Sequence, residues 1–206
     1  MKRLLFGIVL ATLLCSCSGS GQQVLLYLRD GSADLEFMLQ NEAMVMKNTL
    51  EEAGFEVVVA TLDGSDFSEG AATMKTDIKL ADANIEDYAG IMLPCLMVAS
   101  YPEPEISQKA MDLVQQAVAA GKPVAAQTGS LWTLAKAGVL KGRKYAYAFE
   151  ENHPYFEGTT FGGTGVVRDG PVLTSGLCPH MARTQGVEDG TKPLTLAFIE
   201  AMKEKK

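Results

Sequence analysis

The stretch from Gly121 to Arg143, GKPVAAQTGSLWTLAKAGVLKGR, constrains the fold of this chain more than any other. Val124, Ala125 and Ala126 are small and apolar, as expected for the end of a buried parallel strand, while Leu131 to Ala137 read as a helix. Only Gln127-Thr128-Gly129-Ser130 separates them. A strand that turns this sharply into a helix sets one side chain at the carboxyl edge of a sheet, beside unpaired N–H groups. In open α/β sheets that edge is where ligands bind.

The surrounding pattern agrees. Val24 to Leu28 is an apolar run of strand length, and Asp30-Gly31-Ser32 is turn chemistry. Leu35, Met38, Leu39, Val45, Met46 and Leu50 recur at mostly helical spacing up to Gly54, and Phe55 to Thr61 reads as a second strand. Leu62 to Asn84 reads as a loop with a short strand around Thr76 to Leu80, and Tyr88 to Cys95 as a buried strand. Pro104 suits the first turn of a helix through Val118, Lys144 to Phe149 is strand-like, and Asp169-Gly170-Pro171 marks a hairpin. Gly176 to Thr191 reads as a loop and Pro193 to Lys203 as a closing helix. The expected fold is α/β, a flavodoxin-like three-layer sandwich with a mainly parallel central sheet.

At 206 residues the chain suits one such domain, expected over residues 24–206. A net charge of −7, with basic residues clustered only at Lys203 to Lys206, argues against nucleic acid as a partner. Residues 1–17 resemble a bacterial lipoprotein signal peptide: Lys2 and Arg3 precede the apolar run Leu4 to Leu14, and Leu14-Cys15-Ser16-Cys17 resembles a lipobox. Cys17 would then carry the lipid, residues 18–23 would be a tether, and the domain would sit on the periplasmic or extracellular face of the bacterial cell envelope. Ordinary signal-peptidase cleavage between Ser16 and Gly21 is the alternative.

The elbow stretch, together with YAGIMLPC, the VVRDGPVLTS hairpin and the last helix, resembles the DJ-1/PfpI superfamily of the class I glutamine amidotransferase-like fold, over about residues 24–203. The resemblance implies a nucleophilic cysteine at the elbow, often followed by histidine, yet Thr128 and Gly129 stand at those positions. It also implies a glutamate after the first strand that reaches the elbow, and Glu36 in DGSADLE takes that place. A first-turn acid balanced by the helix dipole is the plainer reading of Glu36. Family members commonly have Gly-Gly after the proline of the strand-end motif, where one N–H binds an oxyanion, and Cys95-Leu96 replaces that pair.

Cys95 is accordingly either a relocated reactive thiol or a small packing residue, and Cys178 is a candidate disulfide partner for it. Thr128 has no visible base to activate its hydroxyl, so it suits a helix cap, or ligand contact together with the N–H groups of Gly129 and Ser130. His180, in a Cys-Pro-His turn, is favoured over His153 as a pocket residue. The candidate pocket is therefore Glu36, Cys95, Leu96, Thr128, Gly129, Ser130 and His180. No metal-ligand spacing and no phosphate or dinucleotide loop is present, so neither a metal nor a cofactor is expected. Two functions follow: a domain without the elbow nucleophile that binds a small molecule or protein partner, or a Cys95- and Glu36-dependent hydrolase, glyoxalase or deglycase-like enzyme. The resemblance also implies a homodimer.

Overall fold

The structure is a computed structural model that describes residues 22–98 and 105–204. The leader with Cys17 and the expected start of the third helix at Pro104 lie outside those residues. Strand β1 (Gln23–Tyr27) leads into helix α1 (Leu35–Met38), a π-helical turn (Leu39–Ala43) and helix α2 (Met44–Glu52). Then come β2 (Glu56–Thr61), β3 (Phe67–Glu69), β4 (Ala72–Met74), β5 (Ile78–Lys79), β6 (Gly90–Leu93) and helix α3 (Gln108–Ala119). The elbow consists of β7 (Val124–Gln127), a 3₁₀ turn (Thr128–Ser130) and helix α4 (Leu131–Lys136). The chain closes with β8 (Lys144–Tyr145), β9 (Thr160–Phe161), the hairpin β10 (Val166–Asp169) and β11 (Val172–Ser175), and helices α5 (Pro179–Gln185) and α6 (Thr191–Lys203).

Seven strands form one sheet in the order β10-β11-β7-β6-β1-β2-β5, parallel except for β10 against β11. Alternation along each strand feeds two cores. Val24, Leu26, Met92, Ala125 and Leu173 face α2 and α6, whereas Leu25, Tyr27, Ile91, Val124 and Val172 face α3 and α4. This is the expected three-layer sandwich.

From β1 the chain runs to β2 and β5 on one side, and β6, β7 and β11 lie on the other. The carboxyl ends of β1 and β6 thus mark the switch point of the sheet, the usual ligand position in such folds.

Several boundaries differ from the sequence reading. The sheet takes up Gln23, the last residue of the expected tether, which pairs with Glu56. Segment 62–84 contains the hairpin β3–β4, whose strands are too short and polar to show alternation. Ile106 precedes α3 rather than belonging to it. The expected strand from Lys144 keeps only two residues, and part of the expected loop after Gly176 is helix α5, which ends on Gly186 at φ 69°.

Candidate functional site

Three adjacent strands end at one place: Arg29 just after β1, Cys95 to Met97 just after β6, and Thr128 just after β7. Thr128 has φ 34°, a left-handed conformation that a β-branched residue adopts only where its surroundings enforce it. The expected strand-to-helix corner is therefore present with residue 128 at its apex. Leu96 and Met97 are also left-handed, at φ 51° and 54°, in a segment where the family resemblance implies glycines. The loops that follow β1 and β6 bridge through Ser32 and Val98, and the Ala33 N–H donates to the Met97 carbonyl at 3.4 Å.

Glu42, on the π-helical turn, is the carboxylate that reaches this corner. It is fully buried, and its two oxygens accept the N–H groups of Cys95 at 2.8 Å and Leu96 at 2.7 Å. The π turn belongs to this placement, because an inserted residue rotates the following side chains relative to an unbroken α-helix, a device common at functional sites. Burial and the neighbouring Cys95 raise the carboxyl pKa well above its usual value, against the opposing pull of the two N–H donors.

Glu36 was expected here and lies elsewhere. Its Oε1 accepts the Ala71 N–H at 2.8 Å, which ties α1 to the β3–β4 hairpin. The five residues between Glu36 and Glu42 carry the chain from that hairpin to the corner. A sign of this was visible in the sequence: Met38, Leu39, Glu42, Ala43 and Met46 share one buried stripe, on which Glu42 is the only charged residue.

Arg29 was also missed. It is 4% exposed, and its Nε, Nη1 and Nη2 have no hydrogen-bond partner. A Cβ at Gly129 would come within 3.2 Å of Arg29 Nη2 and 3.5 Å of Cys95 Sγ, so the bare glycine is what lets the guanidinium approach the elbow. Burial lowers the Arg29 pKa, opposed by the nearby Cys95, Tyr27 and Glu42.

Cys95 and Cys178 are both free and buried. Interaction with the Cys178 side chain, then burial, pushes the Cys95 thiol well up, while hydrogen bonding from Cys95 draws the Cys178 thiol down. The Gly129 N–H further favours the Cys95 sulfur, and the Met181 N–H that of Cys178. The buried Thr128 hydroxyl faces both sulfurs but makes no hydrogen bond of ordinary geometry.

The cap expected of Thr128 is thus not made. Ser130 instead donates its hydroxyl to the Pro94 carbonyl at 2.5 Å, fastening the elbow to the end of β6. Gly129 and Leu96 are buried at the corner. His180 is directed away, with Nδ1 3.7 Å from Asp34 Oδ2 and 3.4 Å from Arg183 Nη2. His153 packs edge-on against Trp132. Of the expected residues, the corner therefore gathers Cys95, Leu96, Thr128, Gly129 and Ser130, and it adds Arg29, Glu42 and Cys178.

The DJ-1/PfpI family profile matches residues 22–182. This chain belongs to that family. A protein of Archaeoglobus fulgidus is 32% identical over 130 residues, which are 61% of this chain and 75% of that one. Among solved structures, a ThiJ/PfpI domain protein from Brachyspira murdochii is similar with a TM-score of 0.67 at 14% identity, over 90% of this chain and 99% of its own. Drosophila melanogaster DJ-1beta is similar with a TM-score of 0.60 at 21% identity, over 89% and 95%. These two likenesses establish the fold.

Proposed function

We infer that this DJ-1/PfpI domain is a binding protein for small anionic molecules, carboxylates above all, which it holds at the switch point of the sheet and does not turn over. The observation that carries the reading is Arg29, a buried guanidinium with no hydrogen-bond partner. Leaving a buried polar group unpaired costs about 1–3 kcal/mol and more when it is charged, and a planar carboxylate fits its fork. Gly129, with no side chain of its own, lets the guanidinium sit close against the elbow.

The elbow chemistry supports binding over catalysis. Thr128 stands where relatives are expected to have their cysteine, and its hydroxyl has no hydrogen-bonded base to activate it. The N–H groups of Cys95 and Leu96, in the segment expected to bind an oxyanion, are both given to Glu42. The thiol of Cys95 is pushed up, away from the thiolate a nucleophile needs. Lipidation at Cys17 would hold this binding domain at the envelope surface, where its ligand would be an extracytoplasmic metabolite.

Calorimetric titration of the wild type with acetate, lactate, pyruvate and inorganic phosphate, and with the neutral amides of the three carboxylates, tests the reading. At least one carboxylate should bind and its amide should not, and Arg29→Met should weaken binding by tenfold or more, about 1.4 kcal/mol. Equal affinity in Arg29→Met, or binding of the amides alone, would overturn it.

A further inference from the structure

The segment between β8 and β9 encloses a cavity of about 330 Å³ that shares no lining residue with the strand-end corner. Its walls are Glu151, Asn152, His153, Pro154, Phe156 and Glu157, and its volume is that of a small-molecule site. The walls are held in place by their own contacts. Phe156 lies edge-on to Trp132 at 5.4 Å and tilted against Tyr145 at 5.2 Å, and His153 lies edge-on to Trp132 at 5.0 Å. Nδ1 of His153 accepts the Tyr155 N–H at 3.3 Å, which sets the ring's orientation.

The charge on these walls has one sign. Oε1 of Glu151 accepts the N–H groups of Asn152 at 3.0 Å and His153 at 3.2 Å, while the Tyr145 hydroxyl accepts the Glu151 N–H at 2.9 Å. Only Oε1 is used. Among the described residues, Oε2 of Glu151 and the Glu157 carboxylate have no hydrogen-bond or ion-pair partner, and no lysine or arginine lines the cavity. Carboxylates attract a cation by charge and aromatic faces attract it through their quadrupole.

We propose that this cavity binds a small organic ammonium ion, its charge on the Glu151 and Glu157 carboxylates and its alkyl groups against Phe156 and His153. An anion would meet two carboxylates with no cation to balance them. A hard metal ion needs a shell of oxygen ligands and has no use for the rings, and among the described residues no three metal-ligating side chains converge. An alkylammonium ion uses both kinds of wall.

Trp132 is the chain's one tryptophan and packs on two of the walls, so its emission reports occupancy. The full chain is titrated at constant ionic strength with choline, with tetramethylammonium, and with the neutral tert-butyl analogue of choline, which has the shape without the charge. Both cations should change Trp132 emission saturably, and the neutral analogue should not. Glu157→Gln should weaken choline about tenfold or more. Glu151→Gln keeps Oε1 as the acceptor for its two N–H groups, so it should weaken choline likewise while the melting temperature stays put. Vesicles of phosphatidylcholine separate the two sources of such a cation. Co-sedimentation that Glu157→Gln reduces assigns it to a lipid headgroup, co-sedimentation that the variant leaves unchanged assigns it to a soluble amine, and both support the proposal where free choline binds. No saturable response to either cation, an equal response to the neutral analogue, or unchanged choline affinity in both glutamine variants would overturn it.

Discussion

Glu42 accepts the backbone N–H of Cys95 at 2.8 Å across 53 residues of sequence, and with its other oxygen it holds Leu96. This contact fixes the end of β6 in a backbone conformation that Leu96 and Met97 would otherwise avoid. A carboxyl group offers an acceptor on both oxygens in either protonation state, and a carboxamide offers only one. Glu42→Gln should therefore leave one buried N–H facing an NH₂ group and cost about 1–3 kcal/mol in urea unfolding. An unchanged unfolding midpoint would show that the two bonds do not hold this corner.

The same residue imposes a pH dependence. Burial raises the folded pKa of Glu42 above its unfolded value of 4.5, so the folded state binds the proton more tightly than the unfolded chain does. Its contribution to stability is full below the unfolded value and is lost as pH rises toward the folded one. Wild-type stability should fall with pH above about 4.5 relative to Glu42→Gln, by at most about 1.4 kcal/mol per pH unit. Parallel stability curves for the two proteins from pH 4 to 8 would contradict the shift.

Thr128 was expected to cap α4, and its hydroxyl makes no hydrogen bond. Thr128→Val keeps the shape and the β-branching, and so the backbone strain, while deleting only the oxygen. A capping threonine would lose about 1–2 kcal/mol on such a change. Because the hydroxyl is buried and unpaired, the variant should instead be more stable by about 1 kcal/mol, measured as a higher urea midpoint.

What was legible in the sequence was whatever rests on local pattern. The corner at Thr128 could be read because Val124 to Ala126 and Leu131 to Ala137 change period across four residues, and the central strands β1 and β6 are apolar runs. Glu42 could not be placed by counting from β1, since the π turn and the docking of Glu36 on a polar hairpin set the spacing, and both are tertiary. Its position on an otherwise apolar stripe was the available signal. Arg29 directly follows Val24 to Leu28, and only the neighbouring strand ends reveal that its charge is buried. Helix α5 escaped because its seven residues, beginning with proline and followed by Gly186, carry little amphipathic pattern.

Gly129 tests how tightly the corner is packed. A Cβ there would sit 2.8 Å from the Val98 carbonyl oxygen and 3.2 Å from Arg29 Nη2. The carbonyl is backbone and the guanidinium is enclosed, so neither can give way cheaply. Gly129→Ala should destabilise the fold by about 1–3 kcal/mol and weaken carboxylate binding together. Loss of stability without loss of binding would mean that the displaced group is the Val98 segment and that Arg29 stays in place.

Arg29 offers the sharpest separation between structure and function. If its charge served the fold by balancing Glu42, removing it would strand a buried partner and cost about 3–5 kcal/mol. No hydrogen bond joins the guanidinium to Glu42 or to any other side chain among the described residues, and burial already pulls its pKa down. Arg29→Met fills similar volume without the desolvated charge. The variant without ligand should therefore be more stable than the wild type by about 1–3 kcal/mol, while its affinity for small carboxylates falls. Thermal melts with and without saturating acetate, lactate or pyruvate check both halves: at least one carboxylate should raise the wild-type midpoint and leave that of Arg29→Met unmoved. A variant that is less stable and still binds would return Arg29 to a purely structural role.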